Sequence, residues 1–446
     1  VPGMWTAHPC VEFHLHSMPK ALVCFPGAPY TEQAARAAAD AVLEGWEVHT
    51  PKEAPADADA TPPGYDAYIV DYDLLPFDDL ALQNALCSSY YIRKALIRKH
   101  HLAQALHMFG VKRGVPVDVI PRTWTLDVQF ADELDELLAD DLYDVRDALV
   151  ANESSKDTTW FILKPGMADQ GNGIQLFSSL ERLQQIFEDM EDESDDEDNE
   201  ESTYASHLRH FVIQQYLVPP MLVAPSEGGM RKFHLRAYVI CVGGLAVYLH
   251  DDMLALFASV PYSTPSEDGD LQGHLSNTCL GEREAKARGV PVLPNVFRLR
   301  DLLGKEISTP GSSTGTMSQA HLDAIHRGAV AAIGTVFEAV AREASVHWQM
   351  WPNAFEIFGV DLMVTADPSL SPESLHVWLL EINAVCPHLT QQPDFKQSGE
   401  ALRKTIEHVF QRALQLGVLR SESPWTKGES RDGVTCCFAE EMVKDA

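Results

Sequence analysis

The chain has 446 residues, 45% hydrophobic and 22% charged, and a net charge of −31 at pH 7. That length exceeds one core and predicts two or three domains of an ordinary soluble globular protein. The acidic balance argues against direct nucleic-acid binding, which needs clustered Lys and Arg, and no run approaches the roughly 20 apolar residues of a membrane helix.

The opening "VPGMWTAHPCVEFHLHS" lacks the basic start and apolar core of a secretory signal. Eight cysteines without CxxC spacing read as reduced thiols, so a cytoplasmic protein is expected. Residues 1–115 read as a small α/β domain. "KALVCF" (20–25), "WEVHT" (46–50) and "YDAYIVDY" (65–72) are predicted strands, and "TEQAARAAADAVLEG" (31–45) is an alanine-rich helix. Strand–helix–strand alternation favours a parallel sheet. Residues 84–109, "NALCSSYYIRKALIRKHHLAQALHMF", carry apolar positions at helical spacing and are predicted as helix. Their basic cluster is Arg93, Lys94, Arg98 and Lys99; it reads as a solvated face or, for Lys94, as an inward-pointing cation.

Residues 116–230 form a predicted central domain, with an acidic helix near 131–150. "FILKPGMADQGNGIQLF" (161–177) opens as a buried strand, sets Lys164 at its end, and then runs through Gly166, Gly171 and Gly173. Backbone N–H groups in such a loop, beside a lysine, suit a phosphate; a plain glycine-rich hairpin fits equally. The pattern is neither the Walker nor the dinucleotide motif. Residues 188–201 hold eleven acidic side chains, and 188–202 is expected to be a disordered insertion, either solubilising or a dock for a basic partner. "FVIQQYL" (211–217) is a strand running into a linker.

Residues 231–420 are predicted to be a third domain. "KFHLRAYVICVGGLAVYLH" (232–250) alternates across two strands turning at Gly243-Gly244. A polar loop over 263–317, an amphipathic helix over 318–345, two buried strands at 354–365 and 375–383, and a closing helix over 397–417 follow. Residues 421–446 read as a flexible tail with exposed Cys436 and Cys437. Asp361, Glu381 and Asn383 stand at strand ends, the last two on one face. Such oxygen donors suit magnesium beside phosphate, or a carboxylate held by a salt bridge.

In this order, Lys94, Lys164 with its glycine loop, "QQYL", "KFHLR" and Asp361…Glu381-x-Asn383 resemble the tubulin-tyrosine-ligase-like branch of the ATP-grasp superfamily, over about Asn84–Gly399. The resemblance implies an α/β (α+β) ATP-grasp fold behind a small N-terminal domain, with ATP and Mg²⁺ as cofactors. It implies nucleotide contacts from Lys94, Lys164, Gly171, Gly173, Gln214, Gln215, Tyr216, Leu217 and Lys232. It further implies metal binding by Asp361, Glu381 and Asn383, and catalytic roles for Lys232, His234 and Arg236. The implied reaction joins an amino acid to a protein carboxylate, on a tubulin tail or another protein, through an acyl phosphate. Two positions depart: His234 stands for a usual aspartate and Leu256 for a usual arginine, and residues 385–392 read as an insertion. These departures favour, as the alternative, a weakened or inactive ATP-binding scaffold. "KFHLR" and "PDFKQSG" are most similar to a fungal branch linked to mRNA processing bodies, which implies mRNA-decay proteins as partners.

Overall fold

The computed structural model describes residues 18–440, apart from 129, 167–172, 195–209, 227–228, 268–270, 277–294, 385–392 and 423–424, and apart from the side chains of 192–194 and 393–401. Among the described residues the strands form three sheets. The first is parallel, in the order Glu47–His49, Lys20–Cys24, Ala67–Val70, Leu86–Cys87. Ala34, Ala35, Ala38 and Ala39 bury one side of the helix Pro29–Val42 against it. Segment 84–109 departs from the predicted single helix. Leu86–Cys87 is a strand, and the helices are Lys94–Ile97 and Lys99–Arg113. Between them Arg98 is extended (φ −107°, ψ 117°), so the apolar stripe of the second helix does not continue in phase into the first.

The second sheet is antiparallel, ordered Thr123–Asp127, His210–Gln215, Phe161–Pro165, Gln175–Phe177. Phe161, Leu163, Phe211 and Ile213 bury against Leu134, Leu138, Val145, Leu149, Leu183 and Ile186. Strand alternation therefore turns Ile162, Lys164, Val212 and Gln214 to the opposite face. The predicted acidic helix is two helices, Leu134–Ala139 and Tyr143–Asn152. The acidic block is ordered at its start, contrary to expectation. Leu183, Ile186, Phe187 and Met190 keep a helical stripe against this core, which carries the helix Leu180–Ser194 through the first acidic residues. Residues 195–202 lie outside the described residues, as does the predicted insertion 385–392.

The third sheet centres on Arg231–Val242, which pairs antiparallel with Phe355–Thr365, Ala246–His250 and Leu254–Phe257. Phe355–Thr365 in turn pairs with His376–Ala384. The predicted polar loop 263–317 supplies three short strands, Val296–Arg298, Glu306–Ser308 and Gly315–Thr316. Among the described residues one helix, Gln319–Glu343, is long and apolar enough by length and composition to cross a membrane, but Ile325, Ala329, Ile333, Val336 and Phe337 bury one side of it in the largest core cluster.

The flexible tail is a further correction. Ser430–Arg431 and Val434–Ala439 form a hairpin that pairs with Ala246–His250 at the sheet edge. Cys436 and Cys437 are buried, one in each of the two largest clusters. A strand covered on both faces has no polar–apolar alternation, so its sequence gives no period-two signal. Gly334 allows the docking, because a Cβ there would lie 2.5 Å from the Cys437 carbonyl oxygen.

Candidate nucleotide and metal site

A cleft lies between the second sheet, the helix Lys99–Arg113 and the strand His376–Ala384. Lys99, Thr123, Lys164, Gln214, Glu381 and Asn383 line it, with Leu102 and Leu106 below. Lys164 Nζ donates to Gln214 Oε1 at 2.7 Å, and Gln214 Nε2 donates to Thr123 Oγ1 at 3.0 Å. The lysine is thus held by a neutral amide. Burial pushes its ammonium down to about 8, with Glu381 opposing the fall and Lys99 adding to it.

Lys232, His234 and Arg236 alternate onto one face of the strand Arg231–Val242. Lys232 Nζ donates to Tyr216 Oη at 2.8 Å, and Tyr216 Oη lies 2.9 Å from His274 Nδ1. Burial, and then the charge of Lys164, push Lys232 down to about 7. His234 Nδ1 lies 2.6 Å from Ser276 Oγ, while its Nε2 is 3.7 Å from Asp361 Oδ1.

Register sets Arg236, Asp361 and Glu381 side by side on three neighbouring strands. Arg236 donates through Nε and Nη2 to both Asp361 oxygens, at 2.5 and 3.0 Å. Glu381 meets Lys99 Nζ at 3.3 Å and accepts from Asn383 Nδ2 at 3.2 Å. Burial works to raise the Glu381 carboxyl, but Lys99, Lys164 and Asn383 outweigh it and hold it well below the ordinary carboxylate range. A fixed anion with an amide oxygen beside it is a donor set that fits magnesium. Among the described residues no three His, Cys, Asp or Glu side chains converge as an all-protein cage, so phosphate and water oxygens would complete the shell.

The sequence matches the tubulin-tyrosine ligase family over residues 80–425. The chain belongs to that family. It is 33% identical over 368 residues to a probable tubulin–tyrosine ligase of Schizosaccharomyces pombe, covering 78% of this chain and 81% of that protein. It is also 33% identical over 370 residues to the probable tubulin–tyrosine ligase PBY1 of Saccharomyces cerevisiae, covering 76% of this chain and 44% of the longer protein. The structure resembles the C-terminal domain from K. lactis Pby1, an ATP-grasp enzyme interacting with the mRNA decapping enzyme Dcp2, with a TM-score of 0.62 at 26% identity, over 95% of this chain and all of that one. The fold is that of the ATP-grasp enzymes.

Within this tubulin-tyrosine ligase family chain, the structure brings Lys164, Gln214, Glu381 and Asn383 into the cleft, with Asp361 and Arg236 beside them. Gln215 ends its strand, and Tyr216 and Leu217 follow, Tyr216 buried beside Lys232. Gly173 takes a left-handed turn (φ 68°), and Gly171 lies outside the described residues. Gly166 is required by packing, since a Cβ would sit 2.9 Å from the His210 carbonyl oxygen. Lys94 is not brought to the cleft; it is exposed, and Lys99 lines the cleft in its stead. Sequence reasoning missed three residues. Lys99 could have been found, because Lys99, Leu102, Ala103 and Leu106 follow the i, i+3, i+4, i+7 spacing of one helix face. His274 and Ser276 lay in a segment read as polar loop, with no periodicity to mark them. Leu256 stands directly opposite His234 and is buried in an apolar cluster with Leu254 and Val296.

The two depressed lysines predict a pH dependence for nucleotide binding. Each must carry its proton to hold a phosphate, and the free protein loses those protons as pH rises through about 7 for Lys232 and about 8 for Lys164. Affinity for Mg·ATP is expected to fall from pH 7.5 to 9, a window in which phosphate is already ionised, by up to about tenfold per pH unit for each lysine. Calorimetry in buffers of different ionisation enthalpy should register proton uptake on binding. A flat profile with no uptake would show that neither lysine meets phosphate.

Proposed function

We propose that the chain is an ATP- and magnesium-dependent ligase that joins a free amino acid to a carboxylate of a protein acceptor through an acyl phosphate. The observation that carries this reading is one cleft lined by Lys99, Lys164, Glu381 and Asn383, with Asp361 opposite Glu381 on the neighbouring strand. Lys99, Lys164 and Lys232 would hold the phosphates, and the linker 214–217 the adenine. Asp361, Glu381 and Asn383 would hold magnesium, which when bound offsets the charge on the transferring phosphoryl group. Arg236 would orient the acceptor carboxylate with its forked donors. The sheets on either side of the cleft would keep water from the acyl phosphate. The names of the yeast relatives support a tubulin tail as acceptor, with another protein carboxylate as the wider class; the setting would be cytoplasmic.

A second reading, an ATP-binding scaffold acting through partners in mRNA decay, is favoured by Leu256, where an aliphatic side chain is sealed in an apolar cluster beside the carboxylate row. It is supported too by the interaction of the K. lactis relative with the mRNA decapping enzyme Dcp2. Incubating the pure protein with ATP, Mg²⁺, labelled amino acids and cell extract separates the two. The ligase reading expects label in protein acceptors, dependent on ATP and lost on omitting either ATP or the enzyme. Intact Mg·ATP binding with no transfer of any of the amino acids would leave the scaffold.

A further inference from the structure

Two buried polar atoms flank Arg236 without hydrogen-bond partners, His234 Nε2 and Tyr238 Oη. Their residues are 7% and 4% exposed, so neither atom is satisfied by bulk water. A buried polar group left unmet is costly, and native structures rarely leave one without a reason. Here there are two, at positions two before and two after the same arginine, and strand alternation sets all three side chains on one face.

Around them the engaged atoms are accounted for. Arg236 uses Nε and Nη2 on Asp361, while its Nη1 lies over Gly359, the residue opposite Tyr238 in the strand pair. A Cβ at Gly359 would come within 3.1 Å of that Nη1. His234 has Nδ1 fixed by Ser276, and the Asp361 oxygen 3.7 Å from Nε2 favours the tautomer with its proton there. Tyr238 stays a proton donor, since burial pushes its hydroxyl up to about 12. The face therefore presents a ring N–H, a guanidinium edge and a phenol O–H in a row, all donors and none with a competing anion beyond Asp361.

We infer that Tyr238 and His234 complete, with Arg236, a carboxylate-binding subsite for the acceptor. It rests on the ligase reading above and adds two residues that reading does not require. At the other end of the row Lys232 is turned to Tyr216 and the nucleotide linker, so nucleotide and acceptor meet at His234 and Arg236.

The test uses Tyr238→Phe, which removes only the unpartnered hydroxyl, and His234→Gln as a second variant. Binding of a short peptide ending in Glu-Glu to the full chain is measured with Mg²⁺ and AMP-PNP present, against the same peptide ending in amidated Gln-Gln. Tyr238→Phe is expected to melt at the same or a higher temperature and to bind AMP-PNP within twofold of wild type. It should lose about tenfold or more in affinity for the Glu-Glu peptide, the loss of a hydrogen bond to a charged group. His234→Gln should also lose affinity for the Glu-Glu peptide, and the nucleotide control is read on Tyr238→Phe alone. Unchanged peptide affinity in Tyr238→Phe would overturn the subsite, as would wild type that binds nucleotide and no peptide, or a Tyr238→Phe protein that loses stability and nucleotide affinity together. Wild type that fails to bind Mg·AMP-PNP would count against the ligase reading itself.

Discussion

Glu381→Gln is expected to remove magnesium-dependent nucleotide binding, lowering Mg·AMP-PNP affinity by at least about a hundredfold, the upper range for disturbing a metal's outer shell and so a floor for losing a ligand. The substitution keeps the shape of the side chain and takes its charge. Glu381 is the anion that Lys99, Lys164 and Asn383 hold ionised, which is the state a magnesium ligand needs. The fold should survive. The Lys99–Glu381 pair is only partly buried, with side chains 20% and 30% accessible, so water can reach the lysine that the substitution releases. Calorimetry and a thermal melt check both halves. Unchanged affinity would reduce Glu381 to a strand carboxylate neutralised by a neighbouring lysine.

The sequence carried the parallel N-terminal sheet and the central strands because their signals are local: apolar runs, a two-residue period, glycines at a turn. It carried Glu381 and Asn383 because residues two apart on a strand share a face, and Lys164 because a lysine closes an apolar run before a glycine loop; Gln214 entered only with the family resemblance. What it did not carry depends on tertiary context. Val434–Ala439 is covered on both faces, and its docking relies on Gly334 a hundred residues earlier, which no local pattern reveals. The helix Leu180–Ser194 extends into the acidic block because Met190 has a core to pack on, a fact that charge counting hides. His274 and Ser276 reach Tyr216 and His234 by fold alone.

Lys99 shows the remaining ambiguity, and gives the second large effect. Two Arg-Lys pairs, 93–94 and 98–99, each precede a helix, so a motif that asks for "RK" before a helical segment fits both. Geometry separates them: Lys94 is exposed, whereas Lys99 shares its helix face with Leu102, Ala103 and Leu106 on the cleft. Lys99 is now paired with Glu381, and a cation that takes Glu381 would release it to a phosphate oxygen. Lys99→Met keeps the apolar stem and removes the ammonium. It is expected to weaken Mg·AMP-PNP binding about 10- to 100-fold, the range for a hydrogen bond to a charged group, while Lys94→Met stays within about twofold. Titrating both variants by calorimetry decides it. Equal losses would mean that the two helices move together when nucleotide binds, and a loss confined to Lys94→Met would place the nucleotide lysine where the motif, and not the cleft, puts it.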